Sequence, residues 1–267
     1  MPPTVDLSRC SNDGLCTRVC PIGFLSRGKD GPPVSSSDVQ CIGCGHCASV
    51  CPAGALSLDG ARLEQLPQDW RLDPERVGRL LKGRRSIRLF RKETLAPETL
   101  ATLIGLAQYA PSGHNSQPLA WTVISNAAEV GAIAAATVSW MRASVAQGTP
   151  LSAALGMQRL LDDWDAGRDR ICRGAPHLII AHAPAELPSG SHAAAIAMTY
   201  LDLAAQPFGV GTCWAGFVLV GAGASSEVHV ALGLPEGRRC AGIMMVGRPA
   251  VTYLRIPRRN PPRVEWR

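Results

Sequence analysis

The residues with the clearest chemistry are cysteines. Cys41, Cys44, Cys47 and Cys51, followed by Pro52, stand at Cys-x2-Cys-x2-Cys-x3-Cys-Pro. At this spacing three thiolates can grip irons of one cubane while the fourth reaches toward another. Zinc ribbons pair two Cys-x2-Cys knuckles across about 12–20 residues, whereas only two residues separate Cys44 from Cys47. Haem attachment needs a histidine directly after a Cys-x-x-Cys pair. His46 precedes Cys47 instead and reads as a loop filler. Upstream the same spacing returns with one change, as Cys10, Asp13, Cys16, Cys20 and Pro21, with a carboxylate where the second thiolate belongs. Two uses of Asp13 stand side by side: an iron ligand harder than thiolate, or a turn residue in Asn12-Asp13-Gly14 that caps its own loop. Seven of the ten cysteines fall between Cys10 and Cys51, leaving Cys172, Cys213 and Cys240 for the remaining chain. Such clustering suits metal ligation better than a disulfide network in a reducing compartment.

A second set of groups could hold an anion. Lys82 to Lys92 reads KGRRSIRLFRK, six basic residues and no acidic one. Alone, such a run is a solvated face, a nucleic-acid patch or an anion site. Three later segments give it context: Ala110-Pro-Ser-Gly-His-Asn-Ser-Gln-Pro118, Gly209-Val-Gly-Thr-Cys-Trp-Ala-Gly216 and the tail RIPRRNPPRVEWR. Gly209, Gly211 and Gly216 lack GxGxxG spacing and follow a helical pattern rather than a strand, so no Rossmann nucleotide domain is indicated.

Residues 5–60 resemble two-cluster 4Fe-4S ferredoxins, some of which replace one thiolate with aspartate. The resemblance implies that Cys10, Asp13, Cys16 and Cys51 hold one cluster and Cys41, Cys44, Cys47 and Cys20 the other. The cluster beside Asp13 would then have an altered potential or persist as 3Fe-4S. Residues 84–267 resemble the nitroreductase family of FMN enzymes, and the variant with an N-terminal ferredoxin module covers nearly the whole chain. From that resemblance, Arg84, Arg85, Ser86 and Arg88 grip the phosphate and ribityl groups, and Asn115 bonds the flavin from the partner subunit. Cys213, Trp214, Ala215 and Gly216 lie under the isoalloxazine, and a tail arginine, Arg259 with Arg258 as the neighbouring choice, returns to the phosphate. The residue types suit the task, since a phosphate dianion wants planar bidentate donors and a flat ring wants close backbone approach.

The implied function is a homodimeric iron-sulfur flavoenzyme. Electrons from a donor such as ferredoxin or a reductase pass through two iron-sulfur clusters to FMN and on to a small organic acceptor. The acceptor is a nitroaromatic, a quinone, an activated alkene or a specialised metabolite. No side chain is assigned as catalytic acid or base, because the flavin carries the chemistry. A non-catalytic electron carrier is the alternative. It needs no substrate cavity, whereas an enzyme would line one with residues 137–170, where Trp140 and Trp164 sit. A nucleic-acid-binding sensor rests only on the net charge of +6 and lacks a reading element, so no nucleic-acid partner is expected.

Elements must position these groups. At about 150 residues per domain, 267 residues suit one large core plus a small module. Forty-six per cent apolar and 18% charged residues exclude a disordered chain. No apolar run approaches the roughly 18 residues of a membrane span. The start lacks the basic-then-apolar pattern of a signal peptide, so a cytoplasmic protein is expected. Residues 1–65 carry five basic against six acidic groups, and the rest twenty-two against fifteen. The N-terminal part has no helical period long enough to build a core, so something other than hydrophobic burial must hold it. Residues 66–83 read as a connector leading into a short helix. Beyond it, Pro97 opens a helix with Leu100, Leu103, Ile104, Ala107 and Ala110 on one face. Trp121 and Val123 alternate like a half-buried strand, 177–183 and 241–247 read as buried strands, and 192–206 is a helix apolar nearly all round. The expected fold class is α+β: a ferredoxin-like domain at 1–65, a linker at 66–83 and a nitroreductase-like FMN-binding domain at 84–267. His177, His182, His192 and His229 share no metal spacing. Cys172 and Cys240 read as buried thiols and Cys213 as a small packing residue.

Overall fold

The computed structural model describes residues 2–29, 31–61 and 63–267. The chain divides into two compact units, Met1–Leu72 with Ser112–Ser116, and Asp73–Pro111 with Gln117–Arg267. None of the ten cysteines forms a disulfide.

In the first unit, the elements in order are β1 (Thr4–Val5), α1 (Leu15–Arg18), β2 (Leu25–Arg27), β3 (Pro33–Ser35), α2 (His46–Val50) and β4 (Leu56–Ser57). Strand β1 pairs antiparallel with β4, and β2 with β3. The buried core is small, and two of its six residues, Cys16 and Cys47, are cysteines of the repeated motif. Both helices are entered through a left-handed glycine, Gly14 at φ 71° and Gly45 at φ 77°, where a Cβ would be strained. Each glycine precedes a cysteine by two residues, so the turn swings that cysteine onto a helix pointing inward.

The second unit begins with α3 (Pro74–Gly83), whose N-cap Asp73 accepts from the Glu75 amide at 2.9 Å. Helix α4 (Pro97–Ala107) follows and buries Leu100, Leu103 and Ala107. It stops short of Ala110, which precedes Pro111 and is pushed out of helical geometry by the ring that follows. Next come β5 (Ala120–Ile124), α5 (Ala127–Ala146), α6 (Pro150–Ala154), α7 (Met157–Asp165) and β6 (His177–Pro184). The chain continues as α8 (Gly190–Ala205), β7 (Gly211–Trp214), α9 (Gly216–Ala224), α10 (Ser226–Ala231) and β8 (Arg238–Gly247). The strands form one antiparallel sheet in the order β5-β6-β8-β7.

Helices cover both faces of this sheet, which is why its central strands read as continuous apolar runs rather than alternating ones. The alternation survives as a choice of core. Leu178, Ile180, Ile243 and Met245 face the layer of α5, α7, α9 and α10, while Ile179, Ala181, Met244 and Val246 face α4 and α8. Helix α8 is not buried all round. Ala194, Met198, Leu201 and Ala205 are in the core, whereas Ile196 and Tyr200 on the opposite face are exposed. No helix among the described residues is long and apolar enough to cross a membrane.

Candidate functional site

The eight motif residues of the first unit separate around two hollows. One, of about 380 Å³, is lined by Cys10, Asp13, Cys16 and Cys51. The other, of about 330 Å³, is lined by Cys20, Cys41, Cys44 and Cys47. Each set takes one cysteine from the other motif, because the chain after each proline-terminated run crosses to the neighbouring loop. Amides already point at two of the sulfurs: Gly43 N donates to Cys41 Sγ at 3.4 Å and Ala55 N to Cys51 Sγ at 3.3 Å. Burial pushes the Cys16 and Cys47 thiols up, so ligation there must displace protons. Among the described residues no three His, Cys, Asp or Glu side chains converge closely enough for a single metal ion. A cubane spreads its ligands instead, since each thiolate grips its own iron. The donor sets therefore fit iron-sulfur clusters.

Asp13 has both uses open to it. Its Oδ1 accepts from the Leu15 amide at 2.9 Å and its Oδ2 from the Ser11 hydroxyl at 2.8 Å, so it braces the turn that leads into α1 while lining the hollow. These bonds, the amide first, hold its carboxyl below the usual value. Arg27, which no sequence signal singles out, lines the same hollow.

In the second unit, residues 84–88 run along the outer edge of β7, joined to it by Ile87 N donating to Thr212 O at 2.9 Å. Gly211 permits this approach, because a Cβ there would lie 2.6 Å from Ile87 Cγ1. Arg84 Nη1 donates to Asp202 Oδ2 at 3.1 Å, and Asp202 Oδ1 accepts from the Thr212 hydroxyl. Arg85 turns back and donates to the carbonyls of Lys82 and Gly83 at the end of α3. Arg88 and Arg173 both act on the Cys213 thiol. Burial pushes the Cys213 thiol up, and the two guanidinium groups oppose that shift. Trp214 is half exposed and Ala215 buried, with Ala215 N donating to Ile243 O at 3.0 Å. A Cβ on Gly216 would meet nothing within 4 Å, leaving the backbone open to a flat neighbour. Guanidinium groups, a hydroxyl and open backbone thus gather at β7, and they fit the phosphate, ribityl chain and ring of FMN.

Two expected residues lie elsewhere. Asn115 sits in the 112–116 segment that clusters with the first unit, and its Nδ2 donates to the carbonyls of Ile42 (3.2 Å) and Gly43 (3.0 Å), between Cys41 and Cys44. Its backbone is left-handed at φ 52°, as is that of His114. Arg259 is exposed in the tail after β8. Asp202, which fixes Arg84 and accepts from Thr212, is the residue that motif reading missed. A lone acid in the apolar helix α8 was a usable signal for Asp202, since unpaired acids are rarely buried. Among the remaining cysteines, Cys240 is pushed up to about 12 by burial and Cys172 further still, so both are inert thiols.

A sheet between two helical layers, joined to a unit of paired cysteine loops, defines the class: an α+β domain of nitroreductase fold with a 4Fe-4S dicluster module. The profile of the nitroreductase family matches residues 81–248, and that of the 4Fe-4S dicluster domain matches residues 8–56. The chain belongs to the nitroreductase family. Over 50 residues it is 46% identical to the nitroreductase NfnB of Mycolicibacterium smegmatis, a stretch that is 19% of this chain and only 21% of that relative. The solved structure of the FMN-dependent nitroreductase NfnB from Mycobacterium smegmatis in complex with NADPH matches with a TM-score of 0.50 at 26% identity, over 70% of this chain and 95% of that one. A nitroreductase with bound FMN from Desulfitobacterium hafniense matches with a TM-score of 0.55 at 23% identity, over 73% and 95%. At that identity the likeness speaks for the fold alone.

Proposed function

We propose that this protein is an iron-sulfur flavoenzyme in which a module at 1–65 delivers electrons to FMN held by residues 84–267, which passes them to a small organic acceptor. The observation that carries the reading is the separation of eight ligand-type residues into two sets of four around two hollows. Cys10, Asp13, Cys16 and Cys51 would hold one cluster and Cys20, Cys41, Cys44 and Cys47 the other. Bound FMN supplies hydride or single-electron transfer.

The residues of this chain do the positioning. Arg84, fixed by the largely buried Asp202, offers its remaining donors in a set direction, which lowers the ordering cost of gripping an anion. Ser86 and Arg88 add a hydroxyl and a second fork, and Arg85 joins them once its donors leave the α3 carbonyls. Cys213, Trp214, Ala215 and Gly216 would present backbone to the ring, with Gly216 keeping the approach open. Asn115 from the partner subunit and Arg259 of the tail would complete the site in a homodimer. The electron donor is a ferredoxin or a reductase, and the acceptor is a nitroaromatic, a quinone, an activated alkene or a specialised metabolite. The names of the nitroreductases matched above support the first of these.

An anaerobic absorption spectrum with iron, sulfide and flavin quantitation tests the reading. We expect about eight irons, or about seven if Asp13 leaves one cluster incomplete, and one FMN per chain. The reduced protein should be reoxidised by a nitroaromatic or a quinone. Zinc in place of iron, or no flavin, would overturn it. Reoxidation only by a protein partner would make the chain a carrier.

A further inference from the structure

Asn115 holds a costly backbone conformation. It lies in Ser112–Ser116, the short segment that clusters with the first unit although it follows α4 in the chain. Its backbone is left-handed at φ 52°, as is that of His114, and Gln117 follows at φ 41°. Such angles are strained for residues other than glycine, least so for asparagine, and persist where the surroundings impose them. Two backbone bonds close the turn: Asn115 N donates to Ser112 O and Ser116 N to Gly113 O, both at 3.0 Å. The half-buried amide of Asn115 is thereby turned onto the loop between Cys41 and Cys44.

The contact falls on a particular peptide group. Asn115 Nδ2 donates to Ile42 O at 3.2 Å and to Gly43 O at 3.0 Å. A primary amide nitrogen carries two hydrogens, so each carbonyl receives one and the pair fixes the direction of the side chain. The Ile42 carbonyl and the Gly43 N–H belong to one planar unit, so holding its oxygen settles where its hydrogen points. That hydrogen points at a ligand, since Gly43 N donates to Cys41 Sγ at 3.4 Å. The bonds therefore run in series from Asn115 through the 42–43 peptide to the sulfur. Hydrogen bonds in series polarise one another, and a donor on the carbonyl makes the N–H at the other end a stronger donor. Cys41 and Ile42 line the hollow of about 330 Å³ together with Cys20, Cys44 and Cys47, so this peptide stands in the wall of the site. Hydrogen bonds to the ligand sulfurs help to set the potential of a cubane, because they favour its more negative, reduced state.

We infer that Asn115 is a positioning residue for the cluster of Cys20, Cys41, Cys44 and Cys47: through the 42–43 peptide it holds the Gly43 N–H on the Cys41 sulfur and so raises the reduction potential of that cluster. The inference rests on the iron-sulfur reading above, and it adds a task within the same chain to the flavin contact proposed there for Asn115.

The test is a dithionite titration of the full chain carrying its clusters, followed by electron paramagnetic resonance, for wild type, Asn115→Gly and Asn115→Asp. Cys44→Ser, which gives one iron of this cluster an oxygen ligand, shows which of the two potentials belongs to it. Glycine adopts φ 52° without strain, so Asn115→Gly removes the donor and leaves the turn intact. It should disfavour reduction of this cluster about three- to tenfold, tenfold being about 59 mV for one electron, and leave the other cluster unmoved. Asn115→Asp keeps the shape and the left-handed backbone but offers acceptors where donors stood, so it should disfavour reduction at least as much. It also serves as the readout should Asn115→Gly fail to retain the cluster. Unchanged potentials at full iron and sulfide content would overturn the inference. So would an equal shift of both clusters, or a shift of the flavin potential with both cluster potentials fixed. If wild type holds no iron-sulfur cluster, the iron-sulfur reading itself fails and the inference with it.

Discussion

Replacing Asp202 with alanine strips the support from Arg84 and probes the packing beneath the basic segment. The Asp202 side chain is 12% exposed and that of Arg84 30%. Asp202 joins α8, the 84–88 segment and β7 by accepting from Arg84 and from the Thr212 hydroxyl. Removing one partner of a deeply buried ion pair costs about 3–5 kcal/mol. Arg84 keeps nearly a third of its surface in water, which screens the orphaned charge, so the expected loss is nearer 2–3 kcal/mol, with the unpaired Thr212 hydroxyl included. In a unit of this size about 1 kcal/mol moves the midpoint by roughly 2–4 °C, which predicts a fall of about 4–12 °C for Asp202→Ala. Asp202→Asn keeps an acceptor for Thr212 and should lose about half as much. Thermal unfolding followed by circular dichroism reads stability, and flavin fluorescence reads FMN affinity, which should drop about five- to tenfold as Arg84 loses its fixed direction. A midpoint within about 1 °C of wild type, with unchanged FMN affinity, would refute both the packing and the positioning argument.

Three further perturbations follow from other contacts. Gly211→Ala places a methyl 2.6 Å from Ile87 Cγ1. It should cost about 1–3 kcal/mol by overpacking, and adding Ile87→Ala should restore part of the thermal midpoint. His182 Nδ1 accepts from Arg238 Nε at 3.0 Å, and His177 Nε2 accepts from the Leu95 amide at 2.8 Å. Burial lowers both histidines, with Arg238 adding to the effect at His182. Their stabilising contribution is complete above about pH 6.5 and is lost as pH falls from there toward the lowered folded values. Midpoints measured between about pH 7.5 and 5 should decline, and His182→Gln should flatten the decline; a flat wild-type profile would contradict the assignment. Asp13→Cys should suppress any 3Fe-4S signal in electron paramagnetic resonance and shift one cluster potential while leaving the second nearly fixed. Indistinguishable spectra and potentials would leave Asp13 as the turn residue ahead of α1 alone.

What could be read from the chain alone was whatever depends on spacing along it. Ligation of a cubane is set by short intervals, so Cys41 to Cys51 announce it without any fold, and Asp13 shows as a departure from the same interval. Pro97 and the following leucines mark α4 because a first-turn proline and an apolar stripe are local facts. The apolar runs of β6 and β8 announce buried strands. Tertiary structure decided what depends on residues far apart. The antiparallel order β5-β6-β8-β7 assigns Ile179 and Ile180 to opposite cores. Arg84 and Asp202 are 118 positions apart and meet only because α8 packs beneath the basic segment. The turn before β6 is held by Asp169, which accepts from the amides of Ile171, Cys172 and Gly174. Side chains that recognise one another across the fold leave no fixed interval in the sequence, because the chain between them is free to vary while their contact is set by packing.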